Sequence, residues 1–162
     1  MTTPAQVLRD AFDYHAWATT TLIDALERLG ADALDGRVEG TYGSIAETLA
    51  HLVGADDRYL LRMEQPSLPP YEDLGVQPLA ALREQVTANR GRWGHTLTRL
   101  EAGDLHARIE PRDDYPGADP AETLLLLQAL HHGNDHRTQV CSTLGALGLE
   151  VPDLDVWTFF GS

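Results

Sequence analysis

The sequence predicts an all-α fold, a single four-helix bundle with long connections and a docked C-terminal tail. Four long segments carry apolar residues at spacings of three and four, which is the period of an amphipathic helix. No strand–helix alternation and no internal repeat are present, and the 162 residues are the size of one domain. We therefore expect residues 1–162 to form one bundle domain, whose helix order the spacing alone leaves open.

The first predicted helix is Pro4–Leu29. Thr3 is a candidate N-cap, Pro4 suits the first helical position, and Gly30 follows the last apolar residue. The following segment, 30–43, is polar and glycine-rich, and we expect it to be a connection without a buried element. The inward stripe of the helix is Leu8, Phe12, His15, Thr19, Leu22 and Leu26.

The second helix opens at Ser44, which forms a capping box with Glu47, and we expect it to reach about Glu64, before Pro66. His51 lies beyond the edge of the apolar stripe, so we expect it to face a groove. Arg58 and Arg62 follow on the same ridge and would by default be a solvated helix face. The buried side is predicted as Ile45, Leu49, Leu52, Tyr59, Leu60 and Met63.

The third helix is predicted over Val76–Ala102, with Pro78 in its first turn and Gly103 just beyond its end. An apolar side runs through its whole length. Gly91 and Gly94 interrupt the middle, where each costs about 1 kcal/mol relative to alanine unless it allows close packing.

The fourth helix is predicted to open with Asp119 at its N-cap and to continue to about Leu147. Before it, the segment Leu105–Ile109 is equally compatible with a short strand and an ordered loop. After it, Gly148 suits a helix C-terminus. The tail, Val151–Phe160, is too apolar to be left free, so we expect it to dock on the bundle or on a partner chain.

Composition excludes several functions. The formal net charge is −13, so neither nucleic acid nor an anionic membrane is an expected partner. All twelve basic residues are arginine, which removes lysine Schiff-base chemistry. The lone cysteine, Cys141, cannot form an internal disulfide, and no stretch has the roughly 20 apolar residues of a membrane span. With no signal-peptide pattern at the N-terminus, we expect a cytoplasmic protein.

Three of the seven histidines lie within Leu130–Gln139, directly after the most apolar run of the chain. On a helix, His132 and His136 project from one face a turn apart, whereas His131 is rotated by about 100°. Two imidazoles so placed can bind one metal ion, and His51, on the edge of another helix, could supply a third ligand. From spacing alone, however, a solvated edge is more common than a metal site for each of these residues.

The remaining polar residues carry weaker signals. His95 and His106 have no partner at ligand spacing, and Cys141 reads as a small buried side chain. No nucleophile-elbow or phosphate-loop glycine pattern is present. Groups that could hold the imidazole tautomers by hydrogen bonding, judged only by proximity in sequence, are Glu47, Asp135, Gln128 and Gln139.

Four motifs, in order along the chain, resemble the DinB/YfiT-like family of metal-dependent four-helix-bundle proteins. The first helix carries a tyrosine, a polar residue and a tryptophan–alanine pair, and the second carries a histidine. The fourth carries two histidines with a following arginine, and a closing element comes after it. The matching segments are Tyr14–Ala18, Ser44–Leu52 with His51, His132–Val140 and Pro152–Trp157.

The chain departs from the family pattern at three positions. His15 replaces the usual asparagine, and it could act as acid, base or extra ligand if it faces the site. Asp135 stands where many relatives have a further histidine, which leaves the pair of His132 and His136 intact. Thr138 replaces a frequent glycine.

The resemblance implies an up-down-down-up bundle, often a homodimer, with His51, His132 and His136 as ligands to zinc, nickel, iron or a similar ion. Some relatives are transferases or isomerases that use bacillithiol or mycothiol. The resemblance therefore suggests an enzyme in which the ion activates a low-molecular-weight thiol to attack a small electrophile. Arg58, Arg62 or Arg137 could bind carboxylates of such a thiol.

Two other functions remain open at this point. One is metal-dependent hydrolysis by a metal-bound hydroxide. The other is not catalytic: a metal or small-ligand binder, or a stress-related dimeric scaffold that retains the bundle.

Overall fold

A computed structural model describes residues 2–64, 75–105 and 122–161. These residues form six helices, four of them long, and no strand, which confirms the predicted all-α class. The helices are α1 (Pro4–Leu29), α2 (Ala31–Leu34), α3 (Ile45–Glu64), α4 (Leu79–Glu101), α5 (Glu122–Ala146) and α6 (Val156–Gly161). None of the described helices is long and apolar enough to cross a membrane.

The predicted caps set the ends of the first two long helices. At the start of α1, the Thr3 hydroxyl accepts a hydrogen bond from the backbone N–H of Gln6. At the start of α3, the N–H of Glu47 donates to the Ser44 hydroxyl, and the N–H of Ser44 donates to the Glu47 carboxylate. Gly30 ends α1 with a φ of 86°, a conformation that favours glycine.

Two features differ from the prediction: the start of the third long helix and the structure of the connection 30–43. The helix α4 begins at Leu79, with Pro78 at its N-cap in an extended conformation (φ −57°, ψ 141°). The reason is that proline disfavours helical geometry in the residue before it, so the helix cannot extend back to Val76. The connection 30–43 contains the one-turn α2, in which Ala33 is buried. The predicted opening of the fourth helix lies outside the described residues. So does the strand candidate at Leu105–Ile109, of which only Leu105 is described.

Contacts between side chains give the direction of each helix. Arg9 near the start of α1 pairs with Glu101 at the end of α4, and Arg83 near the start of α4 pairs with Glu27 near the end of α1. These two helices are therefore antiparallel. The helices α3 and α5 are also antiparallel, because His51 meets His132 while Tyr59, further along α3, meets Gln128, earlier on α5.

The two middle helices run in the same direction. Asp57 of α3 accepts a hydrogen bond from Gln85 of α4. Further along both helices, Glu64 of α3 pairs with Arg92 of α4. Together with the antiparallel pairs, this gives the up-down-down-up order that the family resemblance implies.

The helices enclose two groups of buried apolar side chains. One lies between α1, α3, α4 and α5 towards Leu26, Leu49 and Leu144, and the other surrounds Phe12 and Trp93. The ring centroids of Phe12 and Trp93 are 4.6 Å apart. This core holds α3 and α5 side by side and positions the histidines on their shared edge.

The C-terminal tail docks on α1 of its own chain. The Tyr14 hydroxyl donates to the backbone carbonyl of Leu154 at 2.8 Å, and the ring of Phe159 packs against those of Tyr14 and Trp17. Trp157 remains 85% exposed and Phe160 63% exposed. The docking prediction is thus confirmed for contact with the bundle, although part of the apolar surface of the tail faces solvent.

Candidate metal centre

Three imidazoles meet between α3 and α5. His51 comes from α3, and His132 and His136 come from successive turns of α5. One ring nitrogen of each lies within 4.8 Å of the others, and the Nε2 atoms of His51 and His132 are 3.0 Å apart. The antiparallel packing of the two helices brings His51 next to a pair that is 81 residues away in sequence.

The surroundings favour the neutral form of the two imidazoles that α5 contributes. Burial, followed by the proximity of His136 and His51, lowers the pKa of His132 to about 4. Burial also lowers the pKa of His136. Neutral imidazoles have the free lone pair that metal coordination requires, so the cluster is ready to bind a cation near pH 7.

Gln139 sets the tautomer of His136. Its side-chain oxygen lies 3.0 Å from Nδ1 of His136, and because a carbonyl oxygen only accepts, Nδ1 carries the hydrogen. The other ring nitrogen, Nε2, then has a free lone pair. The same oxygen accepts from the backbone N–H of Tyr42 at 3.2 Å. Of the four candidates for this role, Gln139 makes this hydrogen bond to His136, while Glu47 caps α3.

The donor set fits a divalent ion. Around a tetrahedral zinc with Zn–N bonds of about 2.0–2.1 Å, neighbouring nitrogens are about 3.3 Å apart. The 3.0 Å separation of the His51 and His132 nitrogens is close to that value, and the separations to the nitrogen of His136 are at most 4.8 Å. Nitrogen ligands of this kind suit zinc, nickel, copper and iron better than calcium or magnesium.

Two tyrosines form walls beside the cluster. The ring of Tyr42 stacks on His51, with centroids 4.0 Å apart and planes at 17°, and Tyr42 is 50% exposed. Tyr59 meets His132 edge to face at 5.8 Å. Sequence reasoning missed Tyr42, because it lies in a connection that reaches the cluster only after folding back on itself. The backbone bond from Ile45 N–H to Gly36 carbonyl closes that fold.

Comparison with protein families gives the assignment. The family model described as the DinB superfamily matches residues 14–140, which include the three clustered histidines. The chain belongs to the DinB superfamily. No curated protein matches it closely enough to suggest a more specific activity. In this DinB-superfamily chain the predicted triad of His51, His132 and His136 is therefore present as a spatial cluster.

The other histidines of this DinB-superfamily chain lie outside the cluster. His131, next to a cluster member, is exposed, as its rotation around the helix predicts. His95 on α4 is also exposed, and His106 lies outside the described residues.

His15 is buried on the α1 side of α5, at 4% exposure. Its Nδ1 accepts a hydrogen bond from Nη1 of Arg137 at 3.2 Å, and its Nε2 lies 3.4 Å from Oδ1 of Asp56. Both ring nitrogens thus face buried side chains, and His15 is not part of the three-histidine cluster. The catalytic role predicted for it stays a prediction.

The three candidate arginines lie in two different places. Arg58 and Arg62 continue the α3 ridge that carries His51, at about 10 Å and about 16 Å along the helix axis. Arg58 is partly buried and Arg62 is buried. Arg137 follows His136 in sequence but turns towards α1, where its Nη1 donates to the Thr19 hydroxyl at 3.1 Å. Their predicted role in carboxylate binding stays a prediction.

Proposed function

We propose that this DinB protein is a metal-dependent enzyme that activates a low-molecular-weight thiol, of the bacillithiol or mycothiol type, for transfer to a small electrophile. The observation that supports this most directly is the cluster of three imidazoles beside the half-exposed ring of Tyr42. Three protein ligands leave coordination positions for a substrate, which is the arrangement of catalytic and not of structural metal sites.

His51, His132 and His136 would hold a divalent ion, with zinc, nickel and iron as candidates. Such an ion would lower the pKa of a coordinated thiol and so supply a thiolate near neutral pH. In the proposed reaction the thiolate sulfur would supply the electron pair of a new carbon–sulfur bond. The leaving group departs with the electron pair of the bond that breaks, and the thiol proton passes to solvent.

The side chains around the cluster have separate tasks in this proposal. Gln139 holds His136 in the tautomer that leaves Nε2 unprotonated. Tyr42 and Tyr59 form apolar walls that orient the substrate and limit the access of water. We propose that Arg58, about 10 Å further along α3 than His51, binds a carboxylate of the thiol. Arg62 is too deeply buried to be our first choice for this contact.

The thiol proposal is tested by following thiol consumption with metal-loaded protein, bacillithiol or mycothiol, and an aryl halide as the electrophile. The His51→Ala and His136→Ala variants should lose at least about 100-fold in rate, because each removes a ligand of the ion. The matched control is His131→Ala, a neighbouring exposed histidine, which should keep the activity. Thiol consumption that survives both ligand substitutions would rule out the mechanism.

Replacement of Arg58 tests substrate binding separately. In Arg58→Ala we expect KM for the thiol to rise about tenfold with little change in kcat, because a carboxylate contact remote from the reacting sulfur binds ground and transition states equally. If the wild type shows no thiol activity but hydrolyses activated esters when metal-loaded, the thiol proposal is wrong and hydrolysis replaces it.

We further propose that the protein is a homodimer. Trp157 and Phe160 together leave a large apolar surface beside α1, and exposed aromatic residues of this kind are enriched at protein interfaces. Light scattering of the wild type should show a dimer, and Trp157→Asp should shift it to monomer. A wild type that is monomeric at micromolar concentration would contradict the proposal.

A further inference from the structure

A groove lies on the side of α5 that faces away from the histidine cluster. Its volume is about 410 Å³, within the range of small-molecule sites. On α5 its lining positions are spaced by three and four residues and are rotated by roughly half a turn from His132 and His136. The residues that line it are Tyr14, Asn134, Arg137, Thr138, Cys141, Ser142 and Leu154.

Arg137 is the charged residue of this groove, and it is only 3% exposed. All of its hydrogen bonds with the described residues are made by Nη1: to His15 Nδ1 at 3.2 Å, the His15 carbonyl at 3.4 Å and the Thr19 hydroxyl at 3.1 Å. In the described part of the chain no carboxylate lies within salt-bridge distance of it. At this burial the cation is poorly solvated.

The nearest buried carboxylate, that of Asp56, lies on the far side of His15. Its Oδ1 is 3.4 Å from His15 Nε2, while Arg137 contacts the other ring nitrogen, so the His15 ring lies between the two groups. A buried cation is normally accompanied by a directly paired anion, because desolvation of an unpaired charge is costly. Among the described residues, no carboxylate pairs directly with Arg137.

Two nitrogens of Arg137, Nε and Nη2, have no hydrogen-bond partner among the described residues, and the side chain lines the groove. Adjacent N–H groups of a guanidinium match the oxygens of a carboxylate or a phosphate. The side chains of Asn134 and Ser142, both exposed in the groove, can donate further hydrogen bonds. Tyr14, which Arg137 approaches to 5.8 Å from its ring centroid, forms an aromatic wall.

We propose that this groove binds an anionic small molecule whose carboxylate or phosphate group pairs with Arg137. The Tyr14 hydroxyl donates to the carbonyl of Leu154 and so attaches the tail, whose Leu154 also lines the groove. The site is separate from the histidine cluster and does not depend on the proposed thiol chemistry. It would stand even if the cluster bound metal without catalysis.

The experiment uses the full chain loaded with metal. Inorganic phosphate and succinate are titrated separately, and binding is followed by calorimetry and by the side-chain Nε–H signal of Arg137 in ¹⁵N NMR. We expect saturable binding of at least one of them, with a shift of the Arg137 signal. Tighter binding of phosphate would indicate a phosphorylated ligand, and tighter binding of succinate would indicate a carboxylate.

Two alternative substitutions at Cys141 test the proposal without altering Arg137, and comparing them separates a loss of binding from a loss of folding. Cys141→Asp places a carboxylate one turn from Arg137 on the same side of α5, where it should occupy the guanidinium and weaken anion binding at least about tenfold. Cys141→Ser, which adds no charge, should bind as the wild type does. Metal content measured in both variants confirms that the bundle is intact.

Two results would overturn the proposal. One is the absence of saturable binding of both anions by the wild type up to about 10 mM, a concentration that detects even millimolar dissociation constants. The other is equal binding by wild type and Cys141→Asp, which would place the bound anion elsewhere on the protein.

Discussion

Gly133 allows α5 to lie directly against the ring of His15. A Cβ atom at this position would lie 2.2 Å from Cε1 of His15 and 2.7 Å from Nδ1, distances that side chains do not tolerate. His15 in turn is held by Arg137 and faces Asp56, so it cannot easily move. This one residue therefore sets the spacing of α1 and α5 at the turn that carries His132.

Replacement of Gly133 should destabilise the fold. Gly133→Ala forces the His15 ring or the α5 backbone to shift, and overpacking of this kind costs about 1–3 kcal/mol in the free energy of unfolding. The control is Gly54→Ala on α3, where a Cβ meets nothing within 4 Å. Urea denaturation of chelator-treated protein measures both, and a Gly133→Ala protein as stable as the wild type would contradict this account.

Gln139 should control metal affinity without being a ligand. Gln139→Leu removes the acceptor for His136 Nδ1–H, and loss of such a contact typically weakens metal binding about 10–100-fold. Gln139→Glu retains an acceptor and should bind metal nearly as well as the wild type. Competition with a chromophoric chelator measures both affinities, and unchanged affinity in Gln139→Leu would show that the tautomer of His136 is set by another group.

Residue-level prediction succeeded where the helix period carried the information. The spacing of His132 and His136 predicts one shared face, and the exclusion of His131 follows from the same geometry. Tyr42 could not be found this way, because its stacking on His51 depends on how a non-helical connection folds. The buried bond between His15 and Arg137 was equally inaccessible, since their helices are joined only through the completed core.

Among the elements, α4 contains glycines with no packing reason. A Cβ at Gly91 or at Gly94 would meet nothing within 4 Å, so neither glycine permits a close helix contact within the described structure. The sequence left open whether these glycines allow close helix packing. The structure shows no such contact at either position.

Alanine at either position should stabilise the protein. Gly91→Ala and Gly94→Ala each reduce the backbone entropy lost on folding, and we expect gains of about 0.5–1 kcal/mol per site. Thermal and urea unfolding of the two single variants and the double variant measure this. Destabilisation by either change would show that the region needs the flexibility of glycine.

The extent of each helix was predictable where a capping residue defined it. Thr3, Ser44 and Gly30 mark their helix ends through hydrogen bonds or backbone conformation that the residue types themselves favour. The start of α4 was placed too early, because an apolar periodicity continues upstream although Pro78 disfavours a helical residue before it. Periodicity indicates which face is buried, whereas local backbone chemistry decides where a helix begins.

At the scale of the whole molecule, the site depends on the order in which helices pack. The helices α3 and α5 are neighbours, although α4 separates them along the chain, and this contact brings His51 to His132. Amphipathic periodicity predicts four helices but not their arrangement, because each apolar stripe fits more than one neighbour. The up-down-down-up order came from family resemblance. It agrees with the ion pairs of α4 with α1 and α3 and with the contacts between α3 and α5.

The two faces of α5 differ in chemistry. One presents neutral imidazoles towards α3, and the other presents the Arg137 guanidinium towards α1 and the tail. Between them, His15 packs on the helix at Gly133. A single helix thus joins a candidate cation site to a candidate anion site, and each can be removed by substitutions that leave the other in place.

The central claim is that His51, His132 and His136 bind one divalent ion, and elemental analysis with metal titration tests it most directly. Protein purified without chelators should contain a stoichiometric divalent metal, and chelated protein should take it up again. Alanine at any of the three positions should abolish stoichiometric binding, because two imidazoles alone hold such an ion weakly, whereas His131→Ala should retain it. Wild-type protein that carries no metal and binds none on titration would contradict the account, and so would full binding by all three ligand variants.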